Sequence, residues 1–194
     1  MSHFIGLVFE GALNSYEELL APYDEQTEDE RFLEFVDCTD EVREKWNSLD
    51  NDDETKRQYE SLANYTEQYY GYDVVTDDEQ NIVRIGYSHN PNAKWDWYSE
   101  GGRWKGFIKN LEGRYTDAES FSEVDWEAML KDENLPFCVV TTEGEWHERG
   151  EMGWWAMVSN EKDGKTWREE VADYVQSIKD RGDAVRVYAI DFHI

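Results

Sequence analysis

The hydrophobic positions of this chain change period several times, and each period predicts an element. His3 to Glu10 is almost continuously apolar, the pattern of a strand buried on both faces. Tyr16–Leu20 follows at helical spacing and Pro22 helps to end it. Arg31 to Asp37 then alternates as a second strand, so the chain is expected to open as a β-α-β unit. Between Asp40 and Tyr70 the spacing is helical again, with Val42, Trp46 and Leu49 on one segment and Tyr59, Leu62 and Tyr69 on the next. Asn51–Asp53 reads as the break and cap between them, and Gly71 as the stop. The pair predicts a very acidic helical hairpin inserted over residues 38–71.

Further along, Ile82–Tyr87 has the pattern of a strand, His89–Asn92 of a loop, Trp126–Leu130 of a short helix and Phe137–Thr141 of another strand. Gly144 marks a turn, and Trp146–Arg149 with Trp154–Val158 reads as two arms of an aromatic hairpin. Thr166 and Glu169 form a capping-box pattern before Trp167, Val171, Tyr174, Val175 and Ile178, one helical face that stops near Gly182. Ala184–Ile194 closes the chain as a central strand. Strand, helix and strand at both ends predict one α+β domain over residues 1–194, with a ferredoxin-like antiparallel sheet in which both terminal strands are central.

Composition narrows the functional classes. Hydrophobic residues make up 39% of the 194 positions, with nine Trp and twelve Tyr, so the chain can bury a core despite its charge. Cys38 and Cys138 lack CxxC spacing and read as buried thiols, so neither a zinc site nor a secreted disulfide scaffold is indicated, and no cofactor is expected. The opening MSHFIGLVFEG lacks the basic leader and apolar length of a signal peptide, and no segment approaches membrane-spanning length, so a cytoplasmic location is expected. A net charge of −26 argues against direct binding of nucleic acid or anionic lipid, because both would repel it. A basic macromolecular partner is compatible with that charge. Whether the chain self-associates or catalyses a reaction stays open.

The charge is unevenly placed. Residues 1–80 carry 23 acidic and five basic side chains, residues 115–194 carry 19 and eight, but residues 81–114 carry three and six. The positive stretch contains NPNAKWDWYSEGGRWKG, Asn90–Gly106. Trp95, Trp97, Tyr98 and Trp104 offer flat faces, Lys94, Arg103 and Lys105 offer donors, and Gly101-Gly102 lets backbone approach closely. Stacked rings beside cations and free amides suit a base attached to a phosphate. The same tryptophans would serve equally well as core packing, with Asp96 or Glu100 pairing Arg103 to lock a turn, and no Walker or GxGxxG pattern is present.

Two further clusters carry chemistry. His147 and Glu148 sit side by side in EGEWHERGEMGWW, but on a strand they face opposite sides. Asp191 and His193 are two apart and share a face, and with His147 or Glu148 they would make an acid–base or metal site. The alternative is a histidine held by a carboxylate at a sheet end.

Four motifs, LLAPYDE, NPNAKWDWYSEGGRW, WHERGEMGWW and the terminal DFHI, together resemble those of a family of small proteins encoded by tailed bacteriophages. The resemblance touches most of the chain except the acidic hairpin. It implies phage origin and action in the cytoplasm of an infected bacterium, and it brings no activity with it.

Three functions are therefore expected in competition. The first is a phage accessory or counter-defence protein that sequesters a small anionic, nucleotide-like ligand through Lys94, Trp95, Trp97, Arg103, Trp104 and Lys105, helped by His147, Glu148, Asp191 and His193. The second is an acidic nucleic-acid mimic, with Asp24–Glu34 and Asp50–Glu54 occupying a basic groove on a host defence protein. The third is a hydrolase with a metal held by His147, Asp191 and His193.

Overall fold

The computed structural model describes residues 2–50, 54–131, 135–153 and 157–194. The chain divides into two compact units, one made of Met1–Glu25 with Asn92–Ile194 and the other of Gln26–Pro91. Along the chain the first elements are β1 (His3–Glu10), α1 (Tyr16–Leu20), β2 (Glu34–Asp37), α2 (Thr39–Ser48), α3 (Glu54–Gln58), α4 (Leu62–Tyr65), β3 (Asp73–Thr76) and β4 (Ile82–His89). After them come β5 (Trp97–Glu100), β6 (Ile108–Lys109), β7 (Tyr115–Thr116), β8 (Ala118–Ser120), α5 (Trp126–Met129), β9 (Cys138–Val140), β10 (Trp146–Glu148), β11 (Glu151–Met152), β12 (Val158–Ser159), α6 (Gly164–Arg181) and β13 (Arg186–His193).

In the first unit the two terminal strands are central, as the sequence predicts. β1 pairs antiparallel with β13 from His3 opposite His193 to Glu10 opposite Arg186. The antiparallel, ferredoxin-like sheet expected from the sequence is instead mixed: its order is β10-β9-β1-β13-β5, β1 and β9 run parallel, and β8 also joins β13. A parallel neighbour needs a long connection, and almost the whole chain between β1 and β9 supplies it. Both faces of the sheet are covered. One holds Ile5, Leu7, Phe9, Val139, Val187 and Ala189 against the Trp167, Val171, Val175 and Ile178 stripe of α6. The other holds Phe4, Val8, Cys138, Val140, Ile190 and Phe192 against Leu19 and Leu20 of α1. Burial on both sides explains why β1 is apolar at nearly every position.

α6 has the predicted buried stripe but a different start. Asp163, not Thr166, is its N-cap, accepting from the amides of Lys165 and Thr166, and the Thr166 hydroxyl also donates to Asp163. These bonds hold the Asp163 carboxyl below the usual carboxylate range. The aromatic hairpin is also corrected. β10 pairs with β9, Trp146 opposite Val140, while β11 pairs with β12; Trp154–Ala156 of the proposed second arm lies outside the described residues.

The second unit corrects the opening β-α-β reading. Glu30–Phe32 forms a 3-10 turn capped by Asp29, and β2 pairs with β4 in a separate antiparallel sheet of order β2-β4-β3. Alternation marks a strand but does not choose its partner. The helical expectation over 38–71 holds at α2, α3 and α4, and Gly71 ends the run at φ 70°. Asn51–Asp53, the expected break and cap, lies outside the described residues. These helices share a core with the sheet, Val42, Tyr59, Tyr65 and Ile85 being its buried members, so the inserted element is an α+β unit over Gln26–Pro91. Cys38 is half-buried and Cys138 buried, and both are free thiols. Among the described residues no helix is long and apolar enough to cross a membrane.

Gly6 marks the tightest point of the central sheet. An added Cβ would lie 2.5 Å from both Cys138 Sγ and the Phe192 ring. Gly6→Ala should therefore overpack the face shared by β9, β1 and β13 and cost about 1–3 kcal/mol. A fall in the thermal unfolding midpoint checks this, and an unchanged midpoint would show that the sheet yields more easily than its packing suggests.

Candidate functional site

Strand register builds the site. On one face of the sheet, β1, β13 and β5 place His3, His193 and Trp97 in one cross-strand row, and Ile5, Asp191 and Ser99 in the next. Asp191 is 1% exposed and is held from two sides: Oδ1 accepts from His3 Nδ1 at 2.9 Å, and Oδ2 from the Arg103 amide at 2.9 Å. His193 is buried, and its Nδ1 meets Asp96 Oδ1 at 2.5 Å. A carboxylate only accepts, so each Nδ1 is the donor, and in the neutral ring each Nε2 carries the lone pair. The His193 Nε2 is buried with no hydrogen-bond partner among the described residues.

The rings lock together. Trp97 stacks on His193 with centroids 5.0 Å apart and planes 17° apart, while His3 packs edge-on against both rings, at 5.3 Å from Trp97 and 4.9 Å from His193. Trp97 as a residue nevertheless stays 44% exposed. The result is an exposed aromatic plane on a buried, hydrogen-bonded base. Its other neighbour is the 3-10 turn Gly102–Trp104, whose Arg103 amide caps Asp191. Gly102 has φ 46°, and a Cβ there would fall on the Asp191 carboxylate; the matching space at Gly101, φ 68°, is filled by Asp117. The Gly-Gly pair thus admits the protein's own carboxylates to the turn, not a ligand.

The structure divides the predicted residues. Trp97, Asp191 and His193 come together, and Arg103 joins them through its backbone amide. Trp95 does not join them: it is buried at 7% exposure in the opposite layer, among Leu19, Leu20 and Phe192. Lys94 Nζ closes on Glu148 Oε1 at 2.7 Å, and the second Glu148 oxygen accepts from the Trp146 indole at 2.9 Å, so both charges are spent on packing. Trp104 is half-buried against the α6-side core. The side chains of Arg103 and Lys105 are exposed and form no ion pair among the described residues. His147 lies on β10, separated from β13 by β9 and β1, with its Nε2 3.4 Å from Glu145. Among the described residues no group of three or more His, Cys, Asp or Glu is arranged to hold a metal ion.

Two members escape the sequence reading, His3 and Asp96. The signal for His3 is present in hindsight, because pairing the two terminal strands end to end brings HFIG alongside DFHI. In the sequence Asp96 reads as a candidate partner of Arg103, but it holds His193 instead, a histidine held by a carboxylate. Cys138 is no nucleophile: burial pushes its thiol well up, with Glu148 adding to the effect. Comparison with known protein families, curated proteins and solved structures yields no match for this chain.

Asp191 should act as the keystone of this cluster. Asp191→Ala strands the His3 ring, whose side chain is 7% exposed, at about 1–3 kcal/mol for an unmet buried donor, and frees the part-buried Arg103 amide. Chemical denaturation should show the loss, and the Trp97 fluorescence environment should change with it. A variant as stable as the parent would mean that the cluster is not cooperatively held.

Proposed function

We propose that this chain binds a small anionic, nucleotide-like ligand on the open face of Trp97, with Arg103 and Lys105 supplying positive charge. The observation that carries this reading is the Trp97 plane itself. The residue is 44% exposed, yet its ring is stacked on His193, which Asp96 orients. A preorganised ring loses little freedom when a base stacks on it. The free guanidinium and ammonium of Arg103 and Lys105 suit phosphate oxygens. The motif resemblance to tailed-phage proteins supports the biological setting: an accessory or counter-defence protein for which sequestering a host nucleotide signal suffices, without chemistry.

Titration calorimetry with cyclic dinucleotides and ADP-ribose tests the reading. Binding by at least one of them is expected. Base stacking on an aromatic side chain contributes about 1–3 kcal/mol, so Trp97→Ala should weaken that binding by roughly 5- to 150-fold. Arg103→Ala should weaken it further in a salt-dependent way, and Trp95, being core, is no substitute. No binding by any ligand at micromolar concentration sinks the proposal.

A second reading rests on the Gln26–Pro91 unit. It carries 18 acidic and six basic side chains, and a run of ring contacts passes through Tyr65, Tyr69, Tyr70, Tyr72 and Tyr87. Tyr69 is 59% exposed. Exposed rings among carboxylates suit a basic groove built for bases and phosphates, as a nucleic-acid mimic would. Displacement of labelled DNA from purified bacterial DNA-binding enzymes measures this. The displacement should fade as salt rises and vanish on charge reversal at Asp50 and Glu54, while Arg103→Ala leaves it intact. The hydrolase reading has no such support, because His147 is not brought to Asp191 and His193.

A further inference from the structure

His147 plays no part in the Trp97 cluster, but it lines a groove of about 750 Å³ on the α6 side of the first unit. That volume lies within the range of small-molecule sites. The floor is apolar and fixed, with Tyr174 half-buried and Val139 and Trp167 only 2% and 1% exposed. Val139 comes from β9, and Trp167 and Tyr174 come from α6. The Trp167 indole donates to the Pro136 carbonyl at 2.7 Å, and the Tyr174 hydroxyl accepts the Thr142 amide at 2.8 Å.

The walls are acidic, and their cations are already engaged. Lys162 Nζ lies 2.6 Å from Glu170 Oε2, and its ammonium also sits over the Trp167 ring at 5.2 Å. Arg181 reaches Asp183 at 2.7 Å and Glu143 at 3.5 Å. Two lining carboxylates are left over: Glu145, on the β9–β10 side, and Asp173, on α6. Neither has a Lys or Arg partner among the described residues, and the His147 ring lies 3.4 Å from Glu145. The groove therefore offers an aromatic, aliphatic floor between two unneutralised carboxylates.

That combination has a matching ligand class. A flexible aliphatic chain covers the floor, and ammonium groups at its ends meet the two carboxylates, one on each wall. We propose that this groove binds a linear aliphatic polyamine, with Glu145 and Asp173 as its anchoring residues. The inference is independent of the Trp97 reading, since it uses another part of the sheet and the opposite charge.

Spermidine titrated into the full chain, followed by calorimetry and tryptophan fluorescence, provides the test. One-to-one binding is expected at moderate salt. The double variant Glu145→Gln with Asp173→Asn should lose at least tenfold in affinity while unfolding at the same temperature, because both side chains are exposed. A charge-matched pair placed elsewhere, Glu44→Gln with Glu67→Gln, should bind as the parent does, and so should Trp97→Ala. Equal losses in the two double variants would reveal mere counter-ion attraction to a chain of charge −26 and overturn the proposal. So would the absence of spermidine binding, or tighter capture of a lysine-rich peptide that depends on the same two carboxylates, which would assign the groove to a protein partner.

Discussion

Because β1 and β13 pair over their full eight-residue lengths, every other feature of the first unit inherits its register from them. Both strands are buried on both faces, so a slip by one residue would exchange the Ile5–Leu7–Phe9 row with the Phe4–Val8 row and set each against the wrong helix. β9 docks on one side of this pair and β5 on the other. Gly6 is part of the same constraint, since three strands meet there with no room for a methyl group.

The Trp97 cluster follows from that register. His3 and His193 face each other only because the first and last strands run antiparallel and end together, and Asp191 reaches His3 as its diagonal neighbour. The buried Asp191 carboxylate is tolerable because its oxygens accept from the His3 ring and the Arg103 amide. In doing so it pins the turn that carries Arg103 beside the aromatic row. A structural keystone and a presented cation are thus two consequences of one carboxylate.

Charge is arranged as deliberately as packing. Lys94 is spent on Glu148, Lys162 on Glu170 and Arg181 on Asp183 and Glu143, which leaves the cations of Arg103 and Lys105 and the carboxylates of Glu145 and Asp173 unmatched by opposite charge from Lys, Arg, Asp or Glu among the described residues. Ion pairs this exposed contribute little to stability, on the order of 0–1 kcal/mol each. The aromatic row and the groove are thus two of the places where charge is left unmatched on a chain of net charge −26.

The sequence by itself determined which segments become strands and helices wherever a strong period persisted. β1 and β13 were legible because double-sided burial demands continuous apolar residues, α6 because its stripe at Trp167, Val171, Val175 and Ile178 repeats at helical spacing, and Gly71 and Gly182 because positive φ favours glycine. It also identified Trp97, Arg103, Asp191 and His193 as chemically able residues. Only the tertiary structure decided partners. Trp95 and Trp97 are two residues apart in one aromatic run, yet one is core and the other 44% exposed, and β2, read as part of an opening unit with β1, pairs with β4 instead. Periodicity is a local property of the backbone, whereas sheet order and the faces left open depend on contacts between residues far apart in the chain, which no local pattern encodes.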